Sequence, residues 1–230
     1  MLLWIILGFF TILGMIVSAQ LKAKFKKFSK QLLSSGLSGK EVAERMLADN
    51  GLHKVDVISV PGKLTDHYNP ANRTVNLSPD VYNGRHVAAA AVAAHECGHA
   101  VQHATAYRWL TMRSKMVPMV NMSTKLMNFV FIAGMLGAFA INIFPFDLVI
   151  KVVVAMQAVI TAFTLVTLPV EYDASNRALH WLEGARITVG EETKQATIAL
   201  KWAARTYLVA ALAAIAQLAY YVMLMLGNRD

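Results

Sequence analysis

His95, Glu96 and His99 are the residues of this 230-residue chain best placed to do chemistry. They form the pentapeptide His95-Glu96-Cys97-Gly98-His99, an HExxH motif. On a helix, residues four apart lie one turn apart on nearly the same face, so both imidazoles can aim at one metal ion. Glu96 projects beside them, where its carboxylate can hold a water and take its proton. This is the wiring of a zinc hydrolase with Glu96 as general base. The competing reading is a helix that happens to carry two histidines. The preceding run Val87–Ala94 argues against it. It is alanine-rich, a strong helix former, and its small side chains permit close packing around a metal.

The third ligand separates the classes of zinc peptidase. Metzincins extend the motif with Gly and His, where this chain has Gln102 and Thr105. Gluzincins instead take a glutamate from a later helix. The candidate is Glu171, in the segment Pro169–Ala178. That segment resembles peptidases whose third ligand begins an E-x-x-A-D-x-x-A pattern. Glu171, Ala174 and Ala178 fit, but Ser175 stands where the pattern has the aspartate that supports a ligand histidine. Asp173 and Asn176 are the nearby substitutes, yet on a regular helix neither shares the face of Glu171.

Together these pieces resemble the YugP-like family of membrane zinc metallopeptidases. The resemblance covers an N-terminal hydrophobic segment, the Ala93–Gln102 region, a hydrophobic hairpin and the Pro169–Leu179 segment. It implies zinc-dependent hydrolysis of a peptide or protein substrate at a membrane. The expected metal is Zn2+ held by His95, His99 and Glu171, with Glu96 passing the proton of water to the leaving amine. Two other readings compete. One is a site-2-like intramembrane protease with the motif inside a span. Its later Asn-Pro-Asp-Gly segment is absent, and Arg85 and Arg108 flank the motif region. The other is a non-catalytic zinc-binding membrane scaffold, which would not need Glu96.

The elements that must position these residues are those of a membrane protein. Hydrophobic residues make up 56% of the chain and charged ones 16%, below the roughly 25% of soluble domains. Four stretches are long enough to span: Leu2–Ala19, Met127–Phe146, Leu148–Leu168 and Tyr207–Leu226. Only Lys151 interrupts them with charge. The first could be read as a signal peptide ending at Val17-Ser18-Ala19. It lacks a basic n-region, which favours a retained anchor. The fold expected is mainly α: four transmembrane helices with a small α+β zincin-like catalytic domain. Its divisions are an anchor (1–20), a zincin-like domain with the HExxH helix (21–125) and a transmembrane hairpin (126–168). A third-ligand helical segment (169–206) and a last transmembrane helix (207–226) complete it. Pro145-Phe146-Asp147 is the expected hairpin turn.

Connectivity puts regions 20–125 and 169–206 on one side of the bilayer, as a shared metal site requires. All of the 22 lysines and arginines except Lys151 and Arg229 fall in these two regions. The positive-inside rule therefore places the site on the cytoplasmic face of a multi-pass protein of the cell membrane. The net charge of +8 then reflects topology and attraction to anionic lipid, with no nucleic-acid motif beside it. The sole cysteine, Cys97, excludes an internal disulfide and suits a reducing compartment. It stands about 200° round the helix from His95, so packing is its expected role.

Smaller features frame the motif. Lys22–Leu33 reads as a basic helix, either lying on the membrane surface or continuing the first span. Ser38-Gly39-Lys40-Glu41 is a capping box that opens a helix through Val42, Met46 and Leu47, closed at Asn50-Gly51. Val55–Val60 and Thr74–Leu77 read as strands around a turn at 69–72. Arg73–Leu77 is the candidate sheet edge for a substrate strand, or else a brace for the motif helix. His103 continues the series of His95 and His99. Arg177, His180 and Tyr172 are candidate oxyanion donors.

Overall fold

The computed structural model describes residues 1–135 and 145–227. It is mainly helical with one small sheet. The elements are α1 (Leu2–Phe28), α2 (Gly39–Asp49), β1 (Asp56–Ser59), β2 (His67–Asn69), β3 (Thr74–Leu77) and α3 (Pro79–Tyr82). They continue with α4 (Val87–Ala104), α5 (Arg108–Met135), α6 (Phe146–Gly184) and α7 (Glu191–Gly227).

Helices α1, α5, α6 and α7 are each long and apolar enough to cross a membrane. Each extends beyond its apolar stretch into flanking polar residues that are also good helix formers, after the stretch in α1 and α6 and before it in α5 and α7. Thus α1 continues through Lys22–Lys27 to Phe28, so the basic segment extends the first helix. Leu32, beyond it, forms an isolated bridge with His86. Phe146 and Asp147 are not a turn but the first residues of α6. Pro145 stands just before it, its carbonyl accepting from Leu148 and Val149 N–H, and residues 136–144 of the expected second span lie outside the described residues. Helix α6 then runs unbroken past Pro169 to Gly184, so the third span and the Glu171 segment are one helix.

The chain divides into two compact units. The first takes the apolar parts of α1, α5, α6 and α7. Within it, Gln157 Nε2 and Thr161 Oγ1 on α6 both donate to the carbonyl of Ala214 on α7, at 3.3 and 3.1 Å. Buried Ala211 and Ala214 let the two backbones approach, the usual device of packed membrane helices.

The second unit comprises residues 16–111 and 169–206. Ser38 caps α2 and Glu41 returns to the Ser38 backbone, a reciprocal pair worth about 1 kcal/mol. Helix α2 buries Val42, Ala43, Met46 and Leu47 against α4 and the sheet. Gly51, at φ 71°, ends it in the left-handed conformation that glycine adopts freely. The sheet order is β1-β3-β2, with β1 parallel and β2 antiparallel to β3. Strand β3 is therefore central and wholly buried, not the edge expected from the sequence. The edge beside the motif helix is β2. Its brevity and its His and Asn content hide it from propensity arguments.

Candidate metal centre

Helix α4 presents His95 and His99 one turn apart, and α6 brings Glu171 to face them. One ligand atom from each of the three residues lies within 4.8 Å of the others. Glu171 Oε2 is 3.4 Å from His95 Nε2 and 3.6 Å from His99 Nε2. The approach depends on small residues at the helix crossing. A Cβ on Gly98 would stand 2.6 Å from the Ala174 carbonyl oxygen. On α6, Val170, Ala174, Ala178 and Leu182 repeat every fourth residue and are fully buried. That stripe holds the turn carrying Glu171 against α4.

The outer nitrogens of both imidazoles are held. Gln102, completely buried, donates from Nε2 to the Val170 carbonyl and to Asp173 Oδ2, both at 2.8 Å. Both partners only accept, so the orientation of the amide is fixed and Oε1 faces His99 Nδ1 at 3.0 Å. His99 therefore carries a proton on Nδ1, and in the neutral ring Nε2 presents a lone pair to Glu171. Ser175 Oγ lies 3.2 Å from His95 Nδ1 and can do the same for the second ring.

This donor set fits a zinc ion. Lone pairs and a carboxylate oxygen repel unless a cation stands between them. Ligand atoms about 2.0–2.1 Å from a tetrahedral zinc stand roughly 3.3–3.4 Å apart, close to the two spacings from Glu171 to the histidines. Burial pushes the His99 imidazole down, but the hydrogen bond to Glu171 and the charges of Glu96 and Glu171 outweigh it, and the group is held above its ordinary value. Glu171, just past the apolar stretch 148–168, is driven up by burial. The hydrogen bonds from His95 and His99 prevail and keep it well below the usual carboxylate range.

Glu96 is 7% exposed and accepts the Tyr68 backbone N–H at Oε2, 3.0 Å away. That N–H comes from the open side of β2, since antiparallel pairing sends alternate backbone groups outward. Cys97 turns the other way, with Sγ 3.6 Å from the Ala43 carbonyl, and burial pushes its thiol well up. It packs in the core, as its helical angle predicts. His103 lies 2.9 Å from the Tyr68 hydroxyl through Nδ1, and His86 caps α4 by accepting Ala89 N–H. Arg177 donates to Asp173 at 2.6 Å and stacks over Tyr107. Sequence reasoning missed Gln102 and Tyr68. The signal for Gln102 was its place three residues after His99, on an adjoining face of the helix. No sequence signal pointed to a backbone N–H.

A sequence model described as "Putative neutral zinc metallopeptidase" matches residues 3–226. "Putative membrane protease YugP" of Bacillus subtilis (strain 168) is 40% identical over 220 residues, covering 95% of each chain. No solved structure matches the chain.

Proposed function

The chain belongs to the neutral zinc metallopeptidase family, and from that premise we propose that it is a multi-pass membrane zinc endopeptidase. His95, His99 and Glu171 hold the metal, and Glu96 is the general base. The observation that carries this reading is the convergence of both histidine Nε2 atoms on Glu171 Oε2, with the Glu96 carboxylate close enough for its charge to act on His99. The zincin-like character of the second unit is part of the proposal, supported by the motif helix packed beneath a small sheet.

Zinc at this site supplies a Lewis acid that polarises the scissile carbonyl and acidifies water. Every other task falls to the chain. Tyr68 N–H holds Glu96 Oε2, leaving Oε1 to accept a proton from the attacking water. Glu96 then delivers that proton to the nitrogen of the leaving amine as the peptide C–N bond breaks. Gln102 and Ser175 keep the imidazoles turned so that their Nε2 atoms face inward. The open side of β2 can receive an extended substrate as an added strand, with the Tyr68 carbonyl as its contact beside Glu96. The concentration of basic residues outside the spans supports a cytoplasmic site.

The intramembrane alternative is less favoured, because α4 is not among the four helices long and apolar enough to span. The test is cleavage of a mixture of unfolded proteins by purified, zinc-loaded protein in vesicles. Wild type should generate new peptide termini, and Glu96→Gln should retain zinc while losing about 10²–10⁴ in rate. Near-normal turnover by the variant would refute Glu96 as the base. Zinc retention with no cleavage by wild type would favour the scaffold reading.

A further inference from the structure

A cavity of about 410 Å3 opens beside the metal centre between the loop after α2, the ends of the sheet and the last turn of α4. This is within the roughly 300–1,000 Å3 range of sites that take small groups. Its wall is charged in one sense. Lys54 and Arg73 line it together with His53 and His103, and among the described residues no acidic side chain does. Lys54, Arg73, His53 and His103 are all exposed, so the cavity is lined by side chains that solvent and a ligand can reach. Buried Ala100 and half-buried Tyr68 form an apolar floor.

Tyr68 joins this cavity to the catalytic base. Its backbone N–H is on Glu96, while its hydroxyl is on His103, at the cavity. His103 stands seven residues beyond Glu96, about 10 Å along the helix axis. An extended peptide advances about 3.3 Å per residue. A substrate paired along β2 with its scissile bond at Glu96 would therefore place a group from within about three residues of that bond in the cavity. Arg73 is held there at φ 56°, a conformation uncommon for arginine.

We propose that this basic cavity is a substrate subsite for a carboxylate near the scissile bond, either an Asp or Glu side chain or a free C-terminal carboxylate. The proposal rests on the peptidase reading for its substrate. Lys54 and Arg73 supply the attraction, and the pair formed by Tyr68 and His103 supplies donors near the floor. Selection is for a local negative charge, so it weakens as salt screens the exposed lysine and arginine.

The test separates binding from turnover. Peptides identical except for Glu, Gln or Lys at one position, each with a blocked or a free C-terminus, are titrated against zinc-loaded Glu96→Gln protein. The expected result is tighter binding of the Glu or free-carboxylate peptides by roughly fivefold or more. The double variant Lys54→Gln/Arg73→Asn should abolish that margin while binding the Gln peptide as before. Asparagine is chosen because it tolerates the left-handed backbone at position 73. Which of the two peptide series gains identifies the source of the carboxylate. Equal binding of the Glu, Gln and blocked peptides, or equal loss on all of them in the double variant, would overturn the subsite. Failure of the peptidase reading would appear separately, as no cleavage of any of these peptides by wild type.

Discussion

Ser175 Oγ lies 3.2 Å from His95 Nδ1, at the position where the E-x-x-A-D-x-x-A pattern has an aspartate. The supporting position is thus kept with a shorter, neutral side chain. A hydroxyl orients the ring without adding negative charge, so it should raise ligand basicity less than a carboxylate would. Ser175→Ala should lower zinc affinity about 10- to 100-fold, and Ser175→Asp should restore or exceed the wild-type value. Competition with a chelator measures this directly. An unchanged affinity in Ser175→Ala would remove Ser175 from the support of His95.

Glu171 and Asp173 are two residues apart on α6 but have different tasks. Glu171 faces the histidines, whereas Asp173 accepts from Gln102 and Arg177 and reaches the site through Gln102. Glu171→Ala should leave the purified protein with little zinc. Asp173→Ala should keep most of it, with affinity reduced within about tenfold, because the Val170 carbonyl still anchors Gln102. Metal content by elemental analysis decides. Equal zinc in wild type and Glu171→Ala would exclude Glu171 as a ligand.

Gly98 is a packing residue of the metal centre. An added Cβ would meet the Ala174 carbonyl oxygen at 2.6 Å, and backbone cannot swing aside as a side chain can. Gly98→Ala should force α4 and α6 apart, destabilise the protein by about 1–3 kcal/mol, and widen the gap between the imidazoles and Glu171. Thermal unfolding and zinc affinity should fall together. An alanine variant with wild-type melting and zinc affinity would show that the crossing is looser than the contact implies.

What could be read from the sequence follows from the range of the interactions involved. The ligand histidines, Glu96 and the α2 capping box are local patterns, and helical spacing alone places their side chains. Glu171 came from a resemblance, and its approach to α4 rests on small residues at 98 and 174 that periodicity does not single out. Gln102 enters the sequence reading as a departure from the metzincin pattern and as the end of the Ala93–Gln102 region, with no role of its own. Its role depends on contacts with Val170 and Asp173 far along the chain, which no local rule predicts. The sheet order failed for the same reason. Strand β3 looks like half of a hairpin until β1, parallel to it, covers its other side and turns the expected edge into the centre.

The placement of the catalytic unit relative to the membrane can be tested at two exposed positions. Ala71 lies in the turn after β2, and Val189 lies between α6 and α7. Both belong to the unit that holds His95, His99 and Glu171. Cys97 is buried, so cysteines introduced singly at 71 and 189 should react against a low background. If the basic flanks set the orientation, neither should react with an impermeant maleimide in intact cells, and both should react after lysis. Labelling of both in intact cells would put the site on the outer face and leave the metal chemistry untouched. Labelling of only one would place the two segments on opposite sides of the bilayer. That result would be incompatible with Glu171 meeting the two histidines, and the proposed metal centre would fall with it.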